Sequence, residues 1–200
     1  MKQISIPYCA ALKFSAVPTL LVDCWLWENT SYAPETQVFL VHNAETLKVK
    51  IISYEIDIRC EVTEDDRCVC CDSCVEFFVC PYEEDERYIN IEVNPNGAMV
   101  MGLGKDRHNR ISLVKQYKEQ LSVRTQITKE YWYAEYSIPL SLLVQIFEKE
   151  GPPTVMYGNF YKCGDQTNHP HYGMWNRIDS VSPDFHQPQF FGKLLIDLHI

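Results

Sequence analysis

The segment Tyr88–Gly97, with the sequence YINIEVNPNG, carries the clearest indication of the fold class. Its apolar residues Ile89, Ile91 and Val93 alternate with polar ones. Successive side chains of a strand point to opposite faces of a sheet, so the alternation predicts a strand with one core face. The opposite face would carry amide, carboxylate and phenol groups, from Tyr88, Asn90, Glu92 and Asn94. The closing Asn–Gly pair predicts a tight hairpin turn, since these residues tolerate positive φ angles.

Further segments on both sides share this strand-like composition. They are rich in β-branched and aromatic residues, and are Val38–Val41, Leu47–Ile52, Cys74–Val79 and Tyr131–Ile138. Turn signals at Asn43–Glu45 and Pro81 separate them. Many short strands with frequent turns predict an all-β sandwich or barrel, formed by one domain over residues 1–200.

One segment has a clear helical pattern. Pro139 stands at an expected first helical position, and Gly151 follows the end. Between them the apolar stripe consists of Leu140, Leu143, Val144 and Phe147. Ser112–Gln120 is a weaker helix candidate. We therefore expect one short helix among the strands.

Composition excludes some classes of binding partner and indicates a cellular location. The 200 residues are 46% hydrophobic, which is enough for a sizeable core. With 27 acidic and 18 basic residues the formal charge is −9, which argues against nucleic-acid and anionic-membrane partners. The first residues show no signal-peptide pattern and the chain no transmembrane span. Nine cysteines, an odd number, then favour reduced thiols and a cytoplasmic location.

Five phrases, in order, resemble the family 9-like carbohydrate-binding modules of the DOMON-like superfamily. They are Asp72–Phe78, Tyr88–Gly97, Trp132–Pro139, Gly158–Asp165 and the region from His171 to Gly192, which includes Trp175–Asn176 and Pro183–His186. The resemblance covers most of the chain from about Tyr32 to Leu198. It implies a jelly-roll-like antiparallel sandwich that binds mono- or oligosaccharides without catalysis and without a cofactor.

The resemblance also implies a binding site. Trp175 matches one of two tryptophans that clamp a sugar ring, and Glu76 matches an acidic residue of the site. Cys70 stands where the other clamp tryptophan is expected, so one wall of the clamp is missing. A sugar-contacting arginine would correspond to Arg107 or Arg110. Together with the polar strand residues Asn90 and Glu92, these form the predicted carbohydrate site.

Two other functional classes remain open. Glu76, Glu92 and Glu135 support a glycan-processing enzyme, because paired carboxylates carry out glycoside hydrolysis. Alternatively, the chain is a cytosolic interaction protein that kept the fold and lost the ligand. A binding module of this length would act either with a separate partner, such as a glycoside hydrolase, or in a stand-alone role.

Metal and haem sites are weaker hypotheses. Cys71 and Cys74 form a CxxC, but no second CxxC follows within Cys68–Cys80, so we expect no metal there. His169 and His171 with Asp165 are expected to be structural rather than metal ligands or a catalytic base. Haem ligation is a further alternative, through Met99, Met101 and His108. The remaining tryptophans, Trp25, Trp27 and Trp132, are expected to pack in the core or on a sheet.

Overall fold

The computed structural model describes residues 1–15, 17–27 and 31–196. Within these ranges two sheets form a sandwich. The strands are β1 Gln3–Ile6, β2 Leu20–Leu21, β3 Cys24–Trp25, β4 Thr36–His42, β5 Thr46–Ser53, β6 Cys74–Cys80, β7 Tyr88–Val93, β8 Met99–Gly104, β9 Ile111–Ser112, β10 Arg124–Ile127, β11 Trp132–Pro139, β12 Val155–Cys163, β13 Tyr172–Met174 and β14 Gly192–Ile196. Two helices, α1 Val114–Leu121 and α2 Leu140–Phe147, complete the fold with 3₁₀ turns at Val69–Cys71 and Pro188–Phe190.

The larger sheet has nine strands, in the order β1-β14-β12-β6-β7-β8-β9, with β13 added to β12 and β3 to β13. The smaller sheet has five, in the order β10-β11-β5-β4-β2. Neighbouring strands are antiparallel except β1 and β14, which run parallel. All five predicted strands are present, and the predicted all-β sandwich is confirmed.

The core lies between the two sheets. Inward side chains of β7 are Ile89, Ile91 and Val93, each at most 1% exposed. Inward residues of β5 and β11, such as Val49 and Tyr136, come from the opposite sheet. The outer face of β7 therefore carries the polar residues that the alternation predicted.

The hairpin between β7 and β8 also forms as predicted. Asn94 accepts hydrogen bonds from the backbone N–H groups of Gly97, at its carbonyl (3.0 Å), and of Ala98, at its side chain (3.0 Å). Gly97 has φ +76°, the left-handed conformation that glycine adopts without a steric penalty.

Two helices are present where one was expected. The predicted helix is α2, which begins after Pro139, and its Leu140, Leu143 and Phe147 are buried. The second is α1, which overlaps the weaker candidate Ser112–Gln120. It begins at Val114, two residues later, and ends at Leu121, one residue later. Neither helix, nor any other in the described part of the chain, is long and apolar enough to span a membrane.

Candidate functional site

A cavity of about 100 Å³ opens on the outer face of the nine-stranded sheet. Its floor comes from β6, β7 and β12. Its sides come from the Val69–Cys71 turn, the loop between β8 and β9, and β13 with the segments before and after it. The lining residues are Cys70, Glu76, Phe78, Glu92, Arg107, Cys163, Asp165, Tyr172, Pro183, Asp184, Phe185 and His186. The structure thus brings four predicted site residues together: Cys70, Glu76, Glu92 and Arg107.

The floor of the cavity carries two glutamates from neighbouring strands. Glu76 on β6 and Glu92 on β7 are paired directly across the antiparallel ladder. Glu76 is 3% exposed and accepts a hydrogen bond from the Cys163 thiol at 3.0 Å. Burial and the charge of Glu92 raise the pKa of Glu76 well above its ordinary value. The floor therefore presents acceptor oxygens that are poorly solvated.

A relay of hydrogen bonds holds Glu92 in place. Asn90 Nδ2 donates to Glu92 Oε1 at 2.8 Å, and Arg110 Nε donates to Asn90 Oδ1 at 2.8 Å. Arg110 also covers the Tyr88 ring at 4.2 Å. Asn90 and Arg110, both predicted to bind the ligand, do not line the cavity but position a residue that does.

The rim carries one cation and two further carboxylates. Arg107 Nη1 lies 3.6 Å from Asp184 Oδ1 and 3.4 Å from the Pro183 carbonyl oxygen. Asp165 lines the same cavity, and its backbone N–H donates to the Cys70 carbonyl at 2.9 Å. Burial raises the pKa of Asp165. Donor and acceptor groups are therefore both available at the rim.

Aromatic side chains form one wall. Phe185 stacks on Tyr161 with ring centroids 4.1 Å apart, and its ring is 6.3 Å from that of Tyr172. Trp27 packs against both Phe185 and Tyr172, at 5.8 and 6.2 Å. His186 shares a 2.7 Å hydrogen bond with the Tyr88 hydroxyl. Burial lowers the pKa of His186 to about 4, so its ring is neutral near pH 7.

The predicted clamp of Cys70 and Trp175 does not form. Trp175 is 3% exposed and lies in the core between the sheets, where its ring is 5.8 Å from that of Phe160. It also fills the space above Gly192, where an added Cβ would lie 2.3 Å from the indole. Trp175 is absent from the cavity lining, because its side chain points to the inner face of the sheet. The aromatic wall is supplied by Phe185 and Tyr172 instead.

Glu135, one of the glutamates of the glycosidase hypothesis, does not lie in the cavity. Glu135 faces outward from the five-stranded sheet and pairs with Lys48 at 2.8 Å and Lys50 at 3.5 Å. Its neighbours on β11, Ala134 and Tyr136, point into the core. Only Glu76 and Glu92 share a site.

The predicted haem ligands also lie apart. Met99 and Met101 are buried between the sheets, whereas His108 is exposed in the loop after β8. The three side chains therefore form no common pocket.

The histidine hypothesis is resolved by a buried ionic cluster on the opposite face of β12. Lys162 Nζ lies 3.1 Å from Glu55 Oε2 and 2.8 Å from His171 Nε2. The indole N–H of Trp132 donates to Glu55 at 2.9 Å. His171 is 2% exposed and belongs to this buried cluster. His169 contributes its carbonyl, which accepts from His171 Nδ1 at 2.6 Å.

Several cavity residues were not predicted as binding residues. Phe185, His186 and Asp184 belong to the Pro183–His186 phrase, and Asp165 ends the Gly158–Asp165 phrase. Tyr172 follows directly after His171. The sequence phrases shared with the family include these cavity residues. The folded chain is needed to show which of their side chains reach the cavity.

Comparisons with known proteins agree with this fold. The chain is similar to a Bacteroides uniformis protein described as carbohydrate-binding, with 27% identity, a TM-score of 0.86, and 98% of this chain and 99% of that chain covered. It also resembles a family 9 carbohydrate-binding module from Caldicellulosiruptor kristjanssonii solved with glucose, at 14% identity and a TM-score of 0.69, covering 98% and 96% of the two chains. A family 9 carbohydrate-binding module from the same organism, solved with cellotriose, is similar at 13% identity and a TM-score of 0.68. The match covers 100% of this chain and 97% of that chain.

No curated protein matches this chain. The model of the carbohydrate-binding family 9 matches residues 8–196, which is nearly the whole sequence. The chain, which folds as a two-sheet sandwich with a cavity on the larger sheet, therefore belongs to carbohydrate-binding family 9.

Proposed function

We propose that the cavity binds a single sugar ring noncovalently, as a monosaccharide or as the end of an oligosaccharide. The observation that carries the proposal is the pair Glu76 and Glu92 beneath an aromatic wall that includes Phe185 and Tyr172. A pyranose has hydroxyl groups around its edge and an apolar C–H face. The cavity offers one surface for each.

The polar groups suit a ligand rich in hydroxyls. Carboxylate oxygens of Glu76, Glu92 and Asp165 accept hydrogen bonds, and such charge-assisted bonds are stronger than neutral ones. Arg107 supplies the complementary donor at the rim. Partly desolvated carboxylates gain most from hydroxyl donors, because their own hydration is already lost.

The aromatic wall suits the apolar face. Aromatic rings contribute about 0.5–1.5 kcal/mol beyond their buried area when they stack. Phe185 is held in place by Tyr161 on one side and Trp27 on another, so little ordering is required on binding. This wall takes the role that the family resemblance predicts for Trp175.

The volume of the cavity limits the size of the ligand that it can hold. Pockets for drug-sized ligands span about 300–1000 Å³, and this one has about 100 Å³. A single ring at a chain end fits that limit, whereas an internal stretch of polysaccharide does not. Since solved relatives hold glucose and cellotriose, we propose a glucose unit as the first ligand to test.

Calorimetry with glucose and cellotriose tests the proposal. We expect weak binding, with a dissociation constant near 1 mM, about −4 kcal/mol. Phe185→Ala should abolish detectable binding, while Trp175→Phe, a change in the core outside the cavity, should retain it in whatever fraction stays folded.

Hydrolysis of cellotriose is measured in the same samples. Binding without products supports a binding module, whereas product formation that is lost in Glu92→Gln would support an enzyme. Absence of binding to a panel of neutral sugars would overturn the proposal.

A further inference from the structure

Three thiols converge next to the cavity. Cys68, Cys70 and Cys71 belong to the 3₁₀ turn at Val69–Cys71 and its N-cap, and their sulfur atoms all lie within 4.8 Å of one another. The Cys68 and Cys70 sulfurs are 3.4 Å apart. In a tetrahedral zinc site with Zn–S distances near 2.3 Å, sulfurs lie about 3.8 Å apart. The observed spacing is thus already close to that of ligands on one ion.

The turn that presents these thiols is fixed by its surroundings. Val69, fully buried, anchors the turn in the core. The carbonyls of Cys70 and Cys71 accept backbone N–H groups of Asp165 and Gln166, at 2.9 and 3.1 Å. A ligand set held by a rigid backbone needs little rearrangement to bind a metal ion.

The residue after the turn adds a second anchor. Asp72 is fully buried and accepts hydrogen bonds from the backbone N–H groups of Glu61 and Val62, at 2.9 and 2.8 Å. Its other oxygen pairs with Arg59. The turn is therefore held on both sides.

We propose that Cys68, Cys70 and Cys71 bind one thiophilic metal ion of the Zn²⁺ class, with water or the Asp165 carboxylate as the fourth ligand. Thiolate ligands select zinc and other soft ions over magnesium or calcium. Cys68 is exposed and the other two thiols are partly buried, so the site is accessible from solvent. Cys68 and Cys71 have CxxC spacing, and the turn places the Cys70 sulfur beside theirs.

The thiols must lose protons for metal to bind. Each proton displaced passes to the buffer, so the affinity for Zn²⁺ should rise with pH.

A second group of ligand atoms lies deeper. Cys74, Glu76 and Cys163 also lie within 4.8 Å of one another, but all three are buried. The Cys163 thiol already donates to Glu76, which belongs to the cavity floor. The exposed turn is therefore the better entry point for an ion, and variants can separate the two groups.

The test titrates the full chain, reduced with a thiol-free phosphine, with Zn²⁺ against a chromophoric chelator. We expect one ion per chain. Cys68→Ser and Cys71→Ser should each lower the affinity by about 100-fold, because each removes one of three thiolates. Cys9→Ser, in the loop after β1, and Cys74→Ser, in the deeper group, should leave it unchanged. Cd²⁺ should add a thiolate charge-transfer band in the ultraviolet, which Cys71→Ser reduces.

Two results would overturn the proposal. One is the absence of stoichiometric Zn²⁺ binding by the reduced, folded protein. The other is an affinity that Cys74→Ser reduces and Cys68→Ser does not, which would move the ion to the deeper group. The metal measurement needs no sugar, so its failure is distinguishable from failure of carbohydrate binding. Because Cys70 also lines the cavity, bound Zn²⁺ should in addition change the sugar affinity.

Discussion

Glu76 on β6 and Glu92 on β7 lie directly opposite each other on the floor of the cavity. Like charges in directly opposed positions of a ladder destabilise a sheet. The fold accommodates them through two neighbours, the Cys163 thiol that donates to Glu76 and the Asn90 amide that donates to Glu92. A site that costs stability in the free protein is typical of a function that uses those groups.

Sugar affinity should fall as the pH is lowered, and the fall should begin at a pH higher than that at which ordinary carboxyl groups titrate. Burial raises the pKa values of Glu76 and Glu92, so both take up protons at a pH above their ordinary values near 4.3. A protonated carboxyl accepts hydrogen bonds less strongly than a carboxylate. Calorimetry between pH 8 and pH 5 should show this loss. Glu135→Gln, changed on the other sheet, should keep the wild-type profile, and a flat wild-type profile would contradict the assignment.

Glu76→Gln should make the protein more stable at alkaline pH. A carboxyl whose folded pKa is raised stabilises the folded state only while it is protonated, and that contribution is lost as the pH rises through the folded pKa. The amide removes this penalty, and its oxygen still accepts from Cys163. Urea unfolding at pH 8 and pH 5 should show a larger gain at pH 8. An equal gain at both values would mean that charge is not the cause.

Gly102→Ala should weaken sugar binding indirectly, by displacing the side chains that hold Glu92 in place. An added Cβ would lie 2.7 Å from Asn90 Oδ1 and 3.1 Å from Arg110 Nε, so the relay that holds Glu92 must shift. We expect a loss of stability of about 1–3 kcal/mol from overpacking and a several-fold loss of affinity, near 1 kcal/mol for one hydrogen bond. Gly151→Ala is the matched control, since its Cβ would meet nothing within 4 Å. Unchanged calorimetric affinity in folded Gly102→Ala would show that the relay has no role in binding.

Lys162→Met should be strongly destabilising. The change leaves Glu55 as an unpaired buried charge, which costs about 3–5 kcal/mol. Adding Glu55→Gln should recover part of the loss, because the uncompensated charge is removed. Lys105→Met, which breaks an exposed ion pair with Glu86, serves as the control and should leave the urea midpoint unchanged. A double variant no more stable than Lys162→Met alone would argue against charge burial as the cause.

Stability should decrease as the pH falls through the range in which free histidine titrates. Burial, and then the charge of Lys162, lower the pKa of His171 to about 3 from an ordinary value near 6.5. Between these values the unfolded chain binds a proton that the folded chain does not, so stability declines from about pH 6.5 towards pH 3. His171→Gln should reduce the slope of the unfolding free energy between pH 7 and pH 5. His186 shares this behaviour, so the comparison is the difference between variant and wild type.

Local pattern predicted the sheets well and the binding site only in part. Alternation in Tyr88–Val93 gave the strand, its inward face and its polar outer face, because side-chain direction in a strand follows from sequence spacing alone. The resemblance placed Trp175 at the site by position in the sequence, yet its side chain lies on the inner face of the sheet. Short strands such as β13 were not predicted, since two or three residues carry no periodicity.

Sequence patterns alone predicted the all-β class, the hairpin at Asn94–Gly97 and the carbohydrate-binding family. Each depends on neighbouring residues or on ordered phrases along the chain. The folded structure was needed to show that Phe185 borders the same cavity as Cys70 and Glu76, and that the turn with Cys68, Cys70 and Cys71 lies beside it. Phe185 is far from these residues in sequence. Their meeting depends on strand register and on which side of a sheet each loop crosses, and the packing of the whole core sets both.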